Sequence, residues 1–164
     1  MTVLRRARTG DVRVIRELID TYAPGRYLLD KPTVTLYEDT PEFWVAEHDG
    51  EVVGCGALHV LWEDLAEMRT VAVRPDRRRL GVGQAVVRQL VAAARDIGVA
   101  RVFVLTFEVD FFARHGFTPI DGAPVGADVY AELLRSYDEG VAEFLDLERV
   151  KPNTLGNTRM LLRL

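Results

Sequence analysis

Between Glu67 and Ile97 the chain switches its hydrophobic period, and that switch limits what it can fold into. Glu67-Met-Arg-Thr-Val-Ala-Val73 reads as a strand, stopped by Pro75. Arg74-Pro-Asp-Arg-Arg-Arg-Leu80 follows, then Gly81-Val-Gly83-Gln84. From Gly81 to Ile97, Val82, Val86, Leu90, Ala93 and Ile97 recur every three or four residues, which predicts a helix with one buried stripe, closed by Gly98. A glycine-flanked turn opening a helix gathers unpaired N–H groups and the positive end of the helix dipole. Arg74, Arg77, Arg78 and Arg79 stand just before it, opposed only by Asp76. By itself such a run of charge reads as a solvated face; at the mouth of this turn it describes a site for a diphosphate. A P-loop would need a lysine here, and a dinucleotide fingerprint would need a third glycine where Val86 stands.

The flanking sequence supplies the rest of an α+β sheet with helices on its faces. Val3–Arg8 reads as an edge strand, and Asp11 as the N-cap of a helix running to about Tyr22. Residues 27–37 read as a less regular helical stretch. Phe43–Glu47 and Val52–Leu61 read as strands joined through the hairpin signal at Asp49-Gly50. Val102–Leu105 is an apolar strand, residues 110–114 a short helix, and Gly116-Phe117 leads into another strand. Residues 127–137 read as a helix, the acidic run 138–148 as a solvated face or a lid, and residues 159–164 as the last strand. No repeat or linker marks a boundary, so residues 1–164 are expected to form a single domain.

Composition narrows the class. The net charge of −4 gives no electrostatic case for nucleic acid. The apolar stretch Val52–Trp62 falls short of the ~18 residues a membrane helix needs, and Arg5-Arg6 interrupts any secretory signal. The single cysteine, Cys55, excludes an internal disulfide and a multi-thiolate zinc site, so no metal is expected and a reducing cytoplasm fits. In its apolar strand Cys55 reads as a small core residue. His48, His59 and His115 have no sequence partner that would make them catalytic.

Arg78-x-x-Gly81-x-Gly83 after a strand, with Phe112-x-x-x-Gly116-Phe117 downstream, resembles the GNAT superfamily of acetyl-CoA-dependent N-acetyltransferases. The resemblance implies the GNAT fold: a mixed, mostly antiparallel central sheet with helices on both faces, split between two central parallel strands. It implies acetyl-CoA as co-substrate, its pyrophosphate on the N–H groups of Arg79, Leu80, Gly81, Val82, Gly83 and Gln84, with Arg78 beside them. The pantetheine arm would follow Val71, Ala72 and Val73. A bulge near Thr70 would free a backbone N–H for the thioester oxygen, stabilising the oxyanion that forms there. The amine must lose a proton before it attacks, and Glu67 is the candidate base. The family's usual acid is a tyrosine where this chain has Phe112; Thr106, at the end of the neighbouring strand, is the nearest replacement.

Read together, Glu67–Asp76, Phe103–Thr106, Phe112–Pro119, Leu28-Leu29-Asp30-Lys31 and Asn157–Leu162 look like the transferase domain of N-acetylglutamate synthase. That likeness implies acetylation of the α-amine of L-glutamate, the first step of arginine biosynthesis. Lys31 matches a position that holds a glutamate carboxylate, Thr158 a hydroxyl position and Arg159 a basic one. Arg69 and Thr70 complete the acceptor set; by alternation Arg69 shares a face with Glu67 and would grip a carboxylate. The length leaves no room for a preceding kinase domain, so a short stand-alone form is expected, with arginine feedback in doubt. The edge of the last strand is compatible with a homodimer. Two alternatives stay open: another acceptor (glutamine, another amino acid or a peptide N-terminus), and a non-catalytic acetyl-CoA sensor suggested by Phe112.

Overall fold

The computed structural model describes residues 1–25 and 30–164. Among them are seven strands: β1 (Thr2–Arg6), β2 (Phe43–His48), β3 (Glu51–Trp62), β4 (Leu65–Val73), β5 (Arg101–Thr106), β6 (Thr118–Pro119) and β7 (Thr158–Arg163). The helices are α1 (Val12–Tyr22), α2 (Thr33–Glu38), α3 (Val82–Ile97), α4 (Val109–Ala113), α5 (Ala127–Leu133), α6 (Glu139–Phe144) and α7 (Lys151–Thr154). Strand order is 1-2-3-4-5-7-6, with β4 and β5 as the parallel pair in a mixed, mostly antiparallel sheet. The described residues group into two compact units, 1–59 with 68–97, and 60–67 with 98–164, where the sequence offered no boundary.

In the first unit the two faces of β3 have opposite tasks. Cys55 and Ala57 join Val45 and Ala72 in a core with Val12, Ile15, Leu18 and Ile19 of α1 and Leu36 of α2. Gly54 and Gly56, pointing the other way, let α3 come close. A Cβ on Gly56 would lie 2.6 Å from Val86 Cγ1 and 2.8 Å from Leu90 Cδ1. The predicted helical stripe thus meets a strip of β3 that carries no side chain.

The second unit's core joins Leu61, Leu65, Phe103 and Leu161 to Leu133, Val141, Phe144 and Leu145. The acidic run is therefore no solvated face. Its α6 buries Gly140, Val141, Ala142 and Phe144, and the Asp138 carboxylate caps it by accepting from the Val141 N–H at 2.9 Å. Phe144 meets Phe103 edge-on at 4.9 Å.

Four other stretches differ from the sequence reading. Asp11 makes no side-chain cap; its carboxylate is taken by the Arg5 guanidinium (2.7 and 2.9 Å) and by the Arg8 N–H. The strand after Phe117 is only two residues long, though the Ile120 N–H still reaches the Arg159 carbonyl at 2.8 Å. α5 ends at Leu133, leaving Tyr137 fully exposed. Of the helical stretch expected over 27–37, α2 covers only Thr33–Glu38; residues 26–29, including Leu28 and Leu29, lie outside the described residues.

Candidate active site

The strand–turn–helix junction lies wholly in the first unit. After β4, a 3₁₀ turn over Pro75–Arg77 leads to Arg79 and Gly81, both with left-handed backbone (φ 66° and 79°). Alternate left-handed residues turn successive N–H groups to one side, an anion-binding concavity. The first helical bond of α3 runs from the Ala85 N–H to the Gly81 carbonyl, 3.0 Å. The N–H groups of Val82, Gly83 and Gln84 thus precede the helical ladder and face outward from its positive end. The arginines divide. Arg74 is held by Asp76 (2.7 Å) and Glu51 (3.3 Å), Arg77 by Glu51 (3.6 Å), and Arg78 donates to the Tyr22 hydroxyl at 3.0 Å. Arg79 and Leu80 are exposed. Half of the basic run braces the turn, and Arg78 and Arg79 remain beside the concavity.

Inside β4, Thr70 is left-handed (φ 55°), a strained conformation for a β-branched residue, at the place where a bulge was expected. The Cys55 thiol donates to the Thr70 carbonyl at 3.3 Å. Because the peptide is trans, the Val71 N–H points opposite to that carbonyl, away from the thiol. Cys55 is fully buried, and burial pushes its thiol up to about 12, so it is no nucleophile. At the strand's end the Val73 carbonyl accepts from the Tyr22 hydroxyl, and the Arg74 N–H bonds the Val53 carbonyl at 2.8 Å.

The second unit holds a buried carboxylate and a cation whose charges act on each other. Glu67, third residue of β4 and 5% exposed, stands opposite Phe103 of β5, which stands opposite Leu161 of β7. The Arg159 guanidinium lies over the Phe103 ring at 4.9 Å. It donates to the carbonyls of Gly122 (2.8 Å), Glu143 (3.1 Å) and Phe144. Burial lowers the Arg159 pKa below the ordinary arginine value, and the fields of Asp146 and Glu67 oppose that shift. Thr106 and Thr158 are directly paired at the far end of β5 and β7. The Thr106 hydroxyl oxygen accepts from the Glu108 N–H at 2.8 Å, so it already shapes the turn into α4. Phe112 is buried, edge-on to Phe117 at 5.4 Å.

Lys31 and Arg69 are buried cations of the first unit, Lys31 with its Nζ 3.9 Å from Asp39. Tyr22 and Asp146 could not be found from any motif, because their contacts with this region join residues far apart in the chain. His59 pairs with Glu42 at 2.5 Å, and His48 bonds Thr2 at 3.2 Å. No group of His, Cys, Asp or Glu able to hold a metal ion occurs among the described residues. No helix among them is long and apolar enough to cross a membrane.

The match to known proteins decides the family. Residues 12–117 fit the acetyltransferase (GNAT) family model. The chain belongs to that family. This GNAT chain is 64% identical over 163 residues to an amino-acid acetyltransferase of Mycobacterium tuberculosis, covering 98% of this chain and 93% of the relative. A structure from M. tuberculosis, in complex with CoA and NLQ, superposes with a TM-score of 0.97 at 64% identity, covering 99% of both chains. N-acetylglutamate synthase from Neisseria gonorrhoeae, complexed with coenzyme A and N-acetyl-glutamate, superposes with a TM-score of 0.79 at 25% identity, over 100% of this chain and 35% of the other.

Proposed function

We propose that this GNAT enzyme is an amino-acid acetyltransferase that moves the acetyl group of acetyl-CoA to the α-amine of L-glutamate, opening arginine biosynthesis. The coenzyme is acetyl-CoA, and the turn suits it: the left-handed residues Arg79 and Gly81, the N–H groups of Leu80 to Gln84 and the Arg78 and Arg79 side chains match a diphosphate in charge and in hydrogen-bond direction. The backbone of Val71, Ala72 and Val73 takes the pantetheine arm. The Val71 N–H, turned out by the left-handed Thr70, is the donor for the thioester oxygen.

The observation that carries the reading is a buried Glu67, opposite Phe103 in the sheet, whose charge acts on the Arg159 guanidinium that lies over that ring. An amino acid brings a carboxylate and an ammonium. Arg159, whose other N–H groups are tied to backbone, attracts the first, while Glu67 takes the proton from the second, freeing a nucleophilic amine. Thr106 orients the proton returned to the departing thiolate, since Phe112 offers no hydroxyl. Lys31, Arg69, Thr70 and Thr158 are the remaining candidates for acceptor recognition. Glutamate differs from glutamine by a γ-carboxylate, and Lys31 is the candidate cation for it. The likeness to the N. gonorrhoeae synthase supports this choice of acceptor.

The test is an acceptor panel with acetyl-CoA: glutamate, glutamine, other amino acids and a short peptide. Glutamate should give the highest kcat/KM, and Lys31→Ala should raise KM for glutamate about tenfold while sparing glutamine, as expected for one lost charged contact. Turnover of the peptide without glutamate sinks the acceptor assignment. Glu67→Gln should lower kcat roughly 100-fold at neutral pH, the scale of a general base. Unchanged turnover in that variant removes Glu67 from the chemistry. A chain that binds acetyl-CoA but acetylates nothing is a sensor.

A further inference from the structure

Tyr22, the last residue of α1, lies 56 positions from Arg78 and belongs to no motif, yet its hydroxyl touches the coenzyme turn at both ends. It donates to the carbonyl of Val73, where β4 ends, and accepts from Arg78 Nη2 at 3.0 Å. The Arg78 guanidinium also lies 5.4 Å from the centre of the Tyr22 ring, within cation–π reach. One side chain thus spans the segment from Val73 to Arg78, which contains the 3₁₀ turn and leads directly into the left-handed Arg79.

We propose that Tyr22 is a positioning residue for acetyl-CoA: its hydroxyl and ring hold Arg78 at the diphosphate before the coenzyme arrives. An exposed arginine loses rotamer freedom when it binds a phosphate, and a partner that already fixes it removes part of that cost. The hydroxyl is suited to this because it can donate and accept at once. Val73 provides the acceptor, leaving the oxygen's lone pair to receive the Arg78 N–H. Phenylalanine would keep the ring beneath the cation and lose both hydrogen bonds. Pantetheine recognition along β4 should survive, since the Arg74 N–H still ties the strand's end to the Val53 carbonyl.

The inference rests on acetyl-CoA as coenzyme and is tested with two thioesters, acetyl-CoA and S-acetylpantetheine, the second lacking the nucleotide diphosphate. For Tyr22→Phe, KM for acetyl-CoA should rise about tenfold, the scale of a hydrogen bond to a charged group, with kcat changing far less. KM for S-acetylpantetheine should stay within twofold. Arg78→Leu, at an exposed position, should shift the same ratio, and adding Tyr22→Phe to it should cause little further change. An equal KM change for both thioesters, an unchanged ratio in either variant, or additive effects in the double variant each overturn the proposal. Wild-type protein that prefers S-acetylpantetheine would instead overturn the assignment of the diphosphate turn.

Discussion

Phe112 shows how one residue separates a family's pattern from its usual chemistry. The sequence marked the missing hydroxyl, and the structure explains why adding one would not restore it: the ring is buried edge-on against Phe117. Phe112→Tyr should therefore lower stability by about 1–3 kcal/mol, the cost of a buried hydroxyl without a partner, and should not raise kcat. Urea unfolding and steady-state turnover check both, and a faster enzyme would show that the hydroxyl reaches the reacting atoms. Other residues were legible only in part. The types at Glu67, Lys31 and Arg159 announced charge chemistry. That Arg159 spends three donations on the carbonyls of Gly122, Glu143 and Phe144 could not be read from spacing, because those partners come from 15 to 37 positions away. Tyr22 was invisible for the same reason.

Elements were most legible where one period dominates. α3 begins and ends within a residue of its apolar stripe, and the Asp49-Gly50 hairpin forms with both residues left-handed, as its turn type requires. α6 was missed because the charges of Asp138, Glu139, Glu143 and Asp146 outweighed a short apolar face. Two glycines beside α3, Gly56 and Gly81, separate packing from coenzyme binding. Gly56→Ala places a Cβ within 2.6 Å of Val86 and should destabilise by about 1–3 kcal/mol, as overpacking does, with little change in KM for acetyl-CoA. Gly81 has open space around its Cβ position, so Gly81→Ala suffers only from its φ of 79°, about 1–2 kcal/mol. That strain bears on the N–H concavity, so KM for acetyl-CoA should rise several-fold. Denaturant midpoints and KM values on both variants decide it; the opposite pairing of effects would show that the turn does not hold the coenzyme.

At the scale of the whole molecule, the sheet and its helices follow from the alternation of strand and helix patterns. The division into two units does not, because its boundaries at 59/60 and 67/68 run through β3 and β4 with no linker to mark them. Stability against pH is also a property of the whole chain, and a partly buried ion pair and a buried thiol contribute to it at opposite ends of the range. The Arg5 guanidinium holds the Asp11 carboxyl below its ordinary 3.8, with the Arg8 N–H assisting. The unfolded chain then binds a proton that the folded chain refuses, so this contribution is present above about pH 4 and is lost as pH falls through the folded value. Burial acts on Cys55 in the other direction, from 9.0 to about 12. Above pH 9 the unfolded thiol ionises while the folded one keeps its proton, so stability falls as pH rises, by up to tenfold in the folding constant per pH unit until the folded value is reached. Urea unfolding from pH 3 to 11 should show a plateau with both shoulders. Asp11→Asn should flatten part of the acid shoulder and leave the alkaline one. Cys55→Ala should do the reverse, at a lower plateau because the Thr70 carbonyl loses its thiol donor. An alkaline shoulder that persists unchanged in Cys55→Ala would mean that the thiol exchanges protons with solvent and is not held in the core.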